Sequence, residues 1–243
     1  MAFGYHDALA YGGIEEAHPG GFSLTKKLLK NEKIKLGAKV LDAGCGMGLT
    51  SAYLAKVMKC KVYAIDLHPE MIKHAAKRFK KEQLSVEIIE GNIENLPFPE
   101  HSFDWVISES STIFTNIPTT LKEYFRVLKP AGKLLSIEMT SEGTLQKGEE
   151  AKIKKFYNIN IIPTEKEWVA AFRKSGFAKV DILKSNTILQ ELEEYHLNFD
   201  EQTDFPEEKR VDSAIEEILH EHSGLVMNYA EKLGYRVFKA VKN

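Results

Sequence analysis

The segment Val40-Leu41-Asp42-Ala43-Gly44-Cys45-Gly46-Met47-Gly48-Leu49-Thr50 constrains this chain of 243 residues more than any other stretch. Apolar residues run into three alternate glycines, and the helix-forming run Ser51-Ala52-Tyr53-Leu54 follows. That order predicts a buried strand, a tight glycine turn and a helix N-terminus. In a doubly wound α/β sheet this corner binds nucleotides, because free backbone N–H groups point at the ligand. A dinucleotide turn needs the spacing G-x-G-x-x-G, whereas this one reads G-x-G-x-G, with Asp42 two residues before the first glycine. A nicotinamide-dependent oxidoreductase is therefore disfavoured.

The strands that follow keep the same grammar. Lys61 to Ile65 reads as a second buried strand ending in Asp66, about 20 positions past the glycines, where a carboxylate accepts hydrogen bonds from ribose hydroxyls. Leu67 and His68 lead to Pro69, suited to the first turn of a helix, and Ile72, Ala75, Ala76 and Phe79 form the inward stripe of that helix. Val86 to Glu90 is the third strand and runs into Gly91-Asn92-Ile93-Glu94-Asn95-Leu96-Pro97-Phe98-Pro99. Phe103 to Ser108 is the fourth, with Glu109-Ser110-Ser111-Thr112 just beyond its carboxyl end, where open sheets bind ligands. A helix over 118–128 precedes the Lys129-Pro130-Ala131-Gly132 turn and a fifth strand over 133–139. After a polar connection, helical over 153–157, a capping box at Thr164 and Glu167 opens a helix that Gly176 stops. Residues 177–189 supply the sixth strand, and Tyr235 to Val241 the returning antiparallel seventh.

Four of these segments stand in the order found in a known family. The glycine turn resembles motif I of the class I S-adenosylmethionine-dependent methyltransferases, and Asp66 falls at the acidic position of the second strand. Gly91 to Phe98 is similar to the family's G-D-x-x-x-L-P-F, with Asn92 in place of the usual aspartate. The run V-L-K-P-A-G-K-L, ending at Leu134, resembles its Pro-Gly turn before the fifth strand. The resemblance covers about residues 34 to 183. It implies an α/β fold with a Rossmann-like, doubly wound seven-stranded sheet whose last strand is antiparallel. It also implies S-adenosyl-L-methionine as cofactor, S-adenosyl-L-homocysteine as product and no metal. By the same resemblance Asp42, Gly44, Cys45 and Gly46 hold the methionine end, Asp66 the ribose, and Asn92 with Ile93 the adenine, and Leu67, Met71, Glu109 and Tyr11 complete the expected cofactor-binding set. The motifs are similar to those of small-molecule enzymes of the ubiquinone/menaquinone-biosynthesis type. Alternatives are a protein or RNA methyltransferase and a non-catalytic S-adenosylmethionine-binding protein.

Outside the core, residues 1–31 interleave aromatics with glycines (Phe3-Gly4-Tyr5-His6-Asp7, Tyr11-Gly12-Gly13, His18-Pro19-Gly20-Gly21-Phe22). Such a stretch is poor material for a regular core element and is read as a lid over the cofactor, ending in an amphipathic helix over 23–30. Residues 190–222 hold twelve acidic side chains against Lys209 and Arg210. Leu192, Tyr195 and Phe199 fit one helical stripe; Val211, Ile215, Ile218 and His222 fit another that starts near Pro206. The expected layout is a single domain: a lid over 1–31, a cofactor-binding core over 34–189, a helical insertion over 190–233 and the last strand over 234–243.

With 33 basic and 35 acidic residues the chain carries a formal charge of −2, which offers no pull toward nucleic acid or an anionic membrane. No apolar run is long enough to span a bilayer, and Cys45 and Cys60 have neither disulfide nor zinc spacing. A cytoplasmic monomer or homodimer acting on a small-molecule acceptor is expected. Two cysteines outside any cluster disfavour arsenic methylation.

Methyl transfer from a sulfonium is a direct displacement, so alignment of acceptor, methyl carbon and sulfur supplies much of the acceleration. A hydroxyl acceptor also needs a base, for which Glu109 and His18 are the candidates, with His6 a third. Tyr5 and Tyr11 are placed to close over the sulfonium.

Overall fold

The computed structural model describes residues 3–197 and 212–243. Its sheet has the order β3-β2-β1-β4-β5-β7-β6, with every pairing parallel up to β5 and β7 antiparallel to both its neighbours. The strands are β1 (Lys39–Ala43), β2 (Lys61–Asp66), β3 (Val86–Glu90), β4 (Phe103–Glu109), β5 (Leu128–Ser141), β6 (Lys179–Thr187) and β7 (Leu233–Val241). Strand alternation sends successive side chains into two separate cores. On one face Val40, Val62, Trp105, Ile107, Leu135 and Ile137 meet Leu24, Leu28 and Leu29 of α2 (Gly21–Asn31) and Leu54 of α3 (Leu49–Lys56). On the same side Ala64 packs with Ala52 and with Ala75 and Phe79 of α4 (Pro69–Lys81). On the other face Leu41, Ile65, Val106, Leu134 and Phe238 meet Leu121 and Tyr124 of α5 (Ile117–Val127) and Trp168 and Phe172 of α7 (Glu165–Lys174).

Three helices form the region above the carboxyl ends of the strands: α1 (Tyr5–Gly12), α6 (Lys147–Tyr157) and α9 (Ser213–Asn228), with α8 (Ile188–Leu197) following β6. The helix α1 corrects the expectation of an irregular leader. Tyr5, Ala8 and Leu9 recur at helical spacing and are buried, and the glycines end the helix rather than interrupt it, with Gly13 left-handed at φ 71°. Gly12 lies against Ile215 and Leu219, so the leader is seated on α9 of the insertion.

Other boundaries also move. The helix after the glycine turn stops at Lys56, short of Lys59, whose φ of 55° turns the chain into β2. β5 begins at Leu128, because the Lys129–Gly132 stretch stays in the strand, beside an irregularity in the pairing with β4. β6 is shorter than 177–189: Phe177 is core and Ile188 already starts α8. The helix expected over 153–157 starts at Lys147. Phe199, Pro206 and Val211, and the side chain of Tyr195, lie outside the described residues. No helix among the described residues is long and apolar enough to cross a membrane.

Candidate active site

The glycine turn is fastened from below. Gly44 N–H and Cys45 N–H both donate to the Ile65 carbonyl, at 2.9 and 3.0 Å, which locks the end of β1 to β2. Gly44 has φ 74°, and a Cβ there would stand 2.4 Å from the Ser111 Cβ, so only glycine fits. Ser111 Oγ donates to the Ala43 carbonyl at 2.7 Å and ties the loop after β4 to the same turn. Gly46 has φ 51°, but a Cβ there would meet nothing within 4 Å. The space in front of it is the cavity.

That cavity measures about 1230 Å³ and opens above the carboxyl ends of the parallel strands. Of the residues read from the sequence, Gly44, Cys45, Gly46, Asp66, Leu67, Met71, Asn92, Ile93, Glu109, His18 and Tyr11 line it. Asp42 does not reach its wall. It is 2% exposed, accepts the Ser51 hydroxyl at 2.5 Å, and is pushed up to about 7 by burial and by the nearby Glu109 and Asp66 carboxylates. Its place is beneath the turn, against the start of α3.

Asp66 lies in the cavity wall beside the glycine turn. Its Oδ2 accepts Gly46 N–H at 2.8 Å and its Oδ1 accepts His68 N–H at 2.9 Å, which fixes the carboxylate and leaves a lone pair on each oxygen. Asn92 Oδ1 accepts Glu94 N–H at 2.8 Å, closing an Asx turn at the end of β3, and its amide nitrogen has no hydrogen bond to the described residues. Burial, with Asp42 and Asp66 nearby, raises the Cys45 thiol well above its ordinary value, so the thiol is a packing group.

Glu109 and His18 come together, through partners that the sequence did not reveal. Thr25 Oγ donates to Glu109 Oε1 and Thr50 Oγ to Oε2, the latter at 2.6 Å. His18 Nε2 lies 3.3 Å from Thr25 Oγ and 3.7 Å from Glu109 Oε1. Both carboxylate oxygens are engaged, and the cluster binds the leader, α2 and α3 to the end of β4. No motif marks Thr25, and the glycine-turn segment that ends at Thr50 gives its hydroxyl no role. Their distance from Glu109 along the chain hides the contact.

The leader closes the other side. His68 Nδ1 accepts Glu70 N–H, so its Nε2 is the donor to Asp7 Oδ1 at 3.2 Å, and this pair latches α1 to the start of α4. The Tyr11 ring lies edge-on to His68, 6.0 Å between centroids, at the rim. Deeper in, Tyr5 stacks against Phe114 (6.2 Å, 26°) and stands edge-on to Tyr157 (5.0 Å, 89°), and the His222 ring lies 5.0 Å from Tyr5. Tyr157 Oη lies 2.8 Å from His222 Nδ1. Burial lowers the basicity of both His222 and His6, which disfavours the charged form of each ring. In the sequence Tyr157 ended a presumed short helix and His222 lay on an apolar stripe, so nothing joined them.

Known proteins resemble this chain in sequence and fold. The profile of the methyltransferase-domain family matches residues 40–132. An uncharacterized methyltransferase of Bacillus subtilis, YodH, is 32% identical over 238 residues, 98% of this chain and 99% of that one. The chain belongs to the methyltransferase family. A demethylmenaquinone methyltransferase of Geobacillus is 36% identical over 123 residues, spanning 48% of this chain and 51% of that enzyme. Among solved structures, phosphoethanolamine N-methyltransferase 2 of Haemonchus contortus, in complex with phosphomonomethylethanolamine and S-adenosylhomocysteine, superimposes with a TM-score of 0.76 at 21% identity. It matches 97% of this methyltransferase, which spans only 57% of the nematode chain. The fold of this methyltransferase is the class I fold.

Proposed function

We propose that this methyltransferase takes its methyl group from S-adenosyl-L-methionine and passes it to a small-molecule acceptor by direct displacement, releasing S-adenosyl-L-homocysteine. The observation that carries the reading is the convergence of Gly46, Asp66, Asn92 and Glu109 on one cavity above the carboxyl ends of the strands. The residues fit the cofactor. The open space before Gly46 admits close approach of a ligand to backbone, the free lone pairs of Asp66 suit a ribose diol, and the free amide of Asn92 with Ile93 forms a slot for adenine. S-adenosyl-L-methionine supplies an electrophilic methyl group when bound, and the chain orients it and excludes water. Asp42 acts from beneath by fixing Ser51. The Glu109–His18 cluster, whose carboxylate is already spanned by two hydroxyls, holds the leader down over the methionine end. The assignment of 1–31 as a lid and of the insertion as acceptor wall belongs to this proposal, as does a cytoplasmic setting.

Calorimetry tests it. The wild type is expected to bind S-adenosyl-L-methionine and S-adenosyl-L-homocysteine one to one, and Asp66→Ala to lose at least tenfold in affinity. Asp66→Asn, which keeps a carbonyl oxygen for one of the two backbone N–H groups, is expected to fall between them. Absence of binding to the wild type contradicts the proposal.

A further inference from the structure

One end of the cavity carries chemistry that cofactor binding does not use. The rings of Tyr5, Phe114, Tyr157 and His222 surround it, from α1, the turn after β4, α6 and α9. Offset and edge-on rings of this kind present faces and edges that an aromatic guest matches. The carboxylates of Asp7, Asp66 and Glu109 line the same cavity, so an anionic acceptor such as a phosphate monoester enters against their field.

Within that ring cluster Tyr157 and His222 are joined at 2.8 Å, and His222 Nε2 has no hydrogen-bond partner among the described residues. A base held in orientation by a third group is the usual arrangement around an activated hydroxyl. Sulfur and neutral amine acceptors need no such base. We propose that His222, oriented by Tyr157, is the general base for an uncharged phenolic acceptor bound in the cavity beside the Tyr5 and Phe114 rings. With the ring proton on Nδ1 and donated to the Tyr157 oxygen, Nε2 keeps its lone pair for the substrate. As the acceptor O–H bond breaks, its proton goes to Nε2. The oxygen forms the new O–CH3 bond, and the pair of the broken S–CH3 bond stays on sulfur. His222 is a catalytic residue in this account, and Tyr157 a positioning residue. Tyr5 on α1 and Tyr157 on α6 are the titratable groups whose contacts with the His222 ring are seen among the described residues, and burial raises both phenols above their ordinary value.

The inference rests on the proposed cofactor use, and the test separates the two. Catechol and hydroquinone serve as phenolic probes and monomethylethanolamine as an amine probe. Formation of S-adenosyl-L-homocysteine is followed at saturating S-adenosyl-L-methionine, and binding of catechol to the S-adenosyl-L-homocysteine complex by calorimetry. The wild type is expected to methylate a phenol. His222→Gln is expected to lose kcat on the order of a hundredfold, with KM, catechol binding and cofactor binding within about twofold of the wild type. Tyr157→Phe, which keeps the ring, is expected to lose roughly tenfold in kcat, again with KM unchanged. Phenol turnover within threefold of wild type in both variants overturns the inference. So does cofactor binding accompanied by turnover of the amine alone, or of none of the three probes. A wild type that binds no cofactor overturns this inference and the parent reading together.

Discussion

Gly44 and Gly46 sit two residues apart in one turn and answer to different demands. A methyl group at Gly44 runs into Ser111, whereas at Gly46 it enters the cavity. Gly44→Ala is therefore expected to lower the thermal midpoint severely, through both the clash and the left-handed backbone. Gly46→Ala carries only the conformational cost of about 1–2 kcal/mol and shows its main effect as weaker S-adenosyl-L-methionine binding. Thermal melts paired with calorimetry check the contrast, and equal loss of stability in the two variants contradicts it. Asp42 gives a pH signature. Burial raises its carboxyl to about 7, against an unfolded value near 4. The folded state thus holds a proton that the unfolded chain has released, and its stability is full below about pH 4 and falls as pH rises through 7. Asp42→Asn mimics the protonated form, so its advantage over wild type in thermal midpoint is expected to grow by about 2–4 °C between pH 6 and pH 8. A constant difference across that range contradicts the burial argument. The importance of Asp42 was legible from its spacing to the glycines. Its lack of access to the cavity was not, because β1 is buried on both faces and its sequence carries no alternation to show which way Asp42 points.

At the scale of elements, the strand–turn–helix units announced themselves because each carries its own local signal: Pro69 and the His68 cap of α4, the Thr164–Glu167 box of α7, the apolar runs of β1, β2 and β4. α1 did not, since eight residues between glycines give too short a window for periodicity. Its stability comes from contacts distant in sequence, with α9 behind and His68 in front. The Asp7–His68 latch is partly exposed and adds little to global stability. In the proposed lid role, its effect falls on the opening of the leader. Asp7→Asn is expected to leave the thermal midpoint within about 1 °C and to raise the dissociation rate of S-adenosyl-L-homocysteine several-fold in stopped-flow measurements. An unchanged rate removes the latch from the account.

Across the whole molecule, the sheet brings together residues whose separation in the chain conceals their partnership. Strand order places β1, β2 and β4 side by side, so that Gly46, Asp66 and Glu109 converge, and this much followed from recognising the strands. The ring-lined end is built differently. Tyr5, Phe114, Tyr157 and His222 come from four separate elements, and no local pattern connects them. The glycine-turn side of the cavity was therefore readable in sequence, and the ring-lined side needed the fold. The most direct test of the account is a crystal structure of the complex with S-adenosyl-L-homocysteine. The account predicts adenine beside Asn92 and Ile93, the ribose hydroxyls on Asp66, the amino-acid end over Gly44–Gly46 and the sulfur directed toward Tyr5, Phe114 and His222. A ligand that leaves Asp66 uncontacted, or whose sulfur points away from that ring cluster, contradicts it.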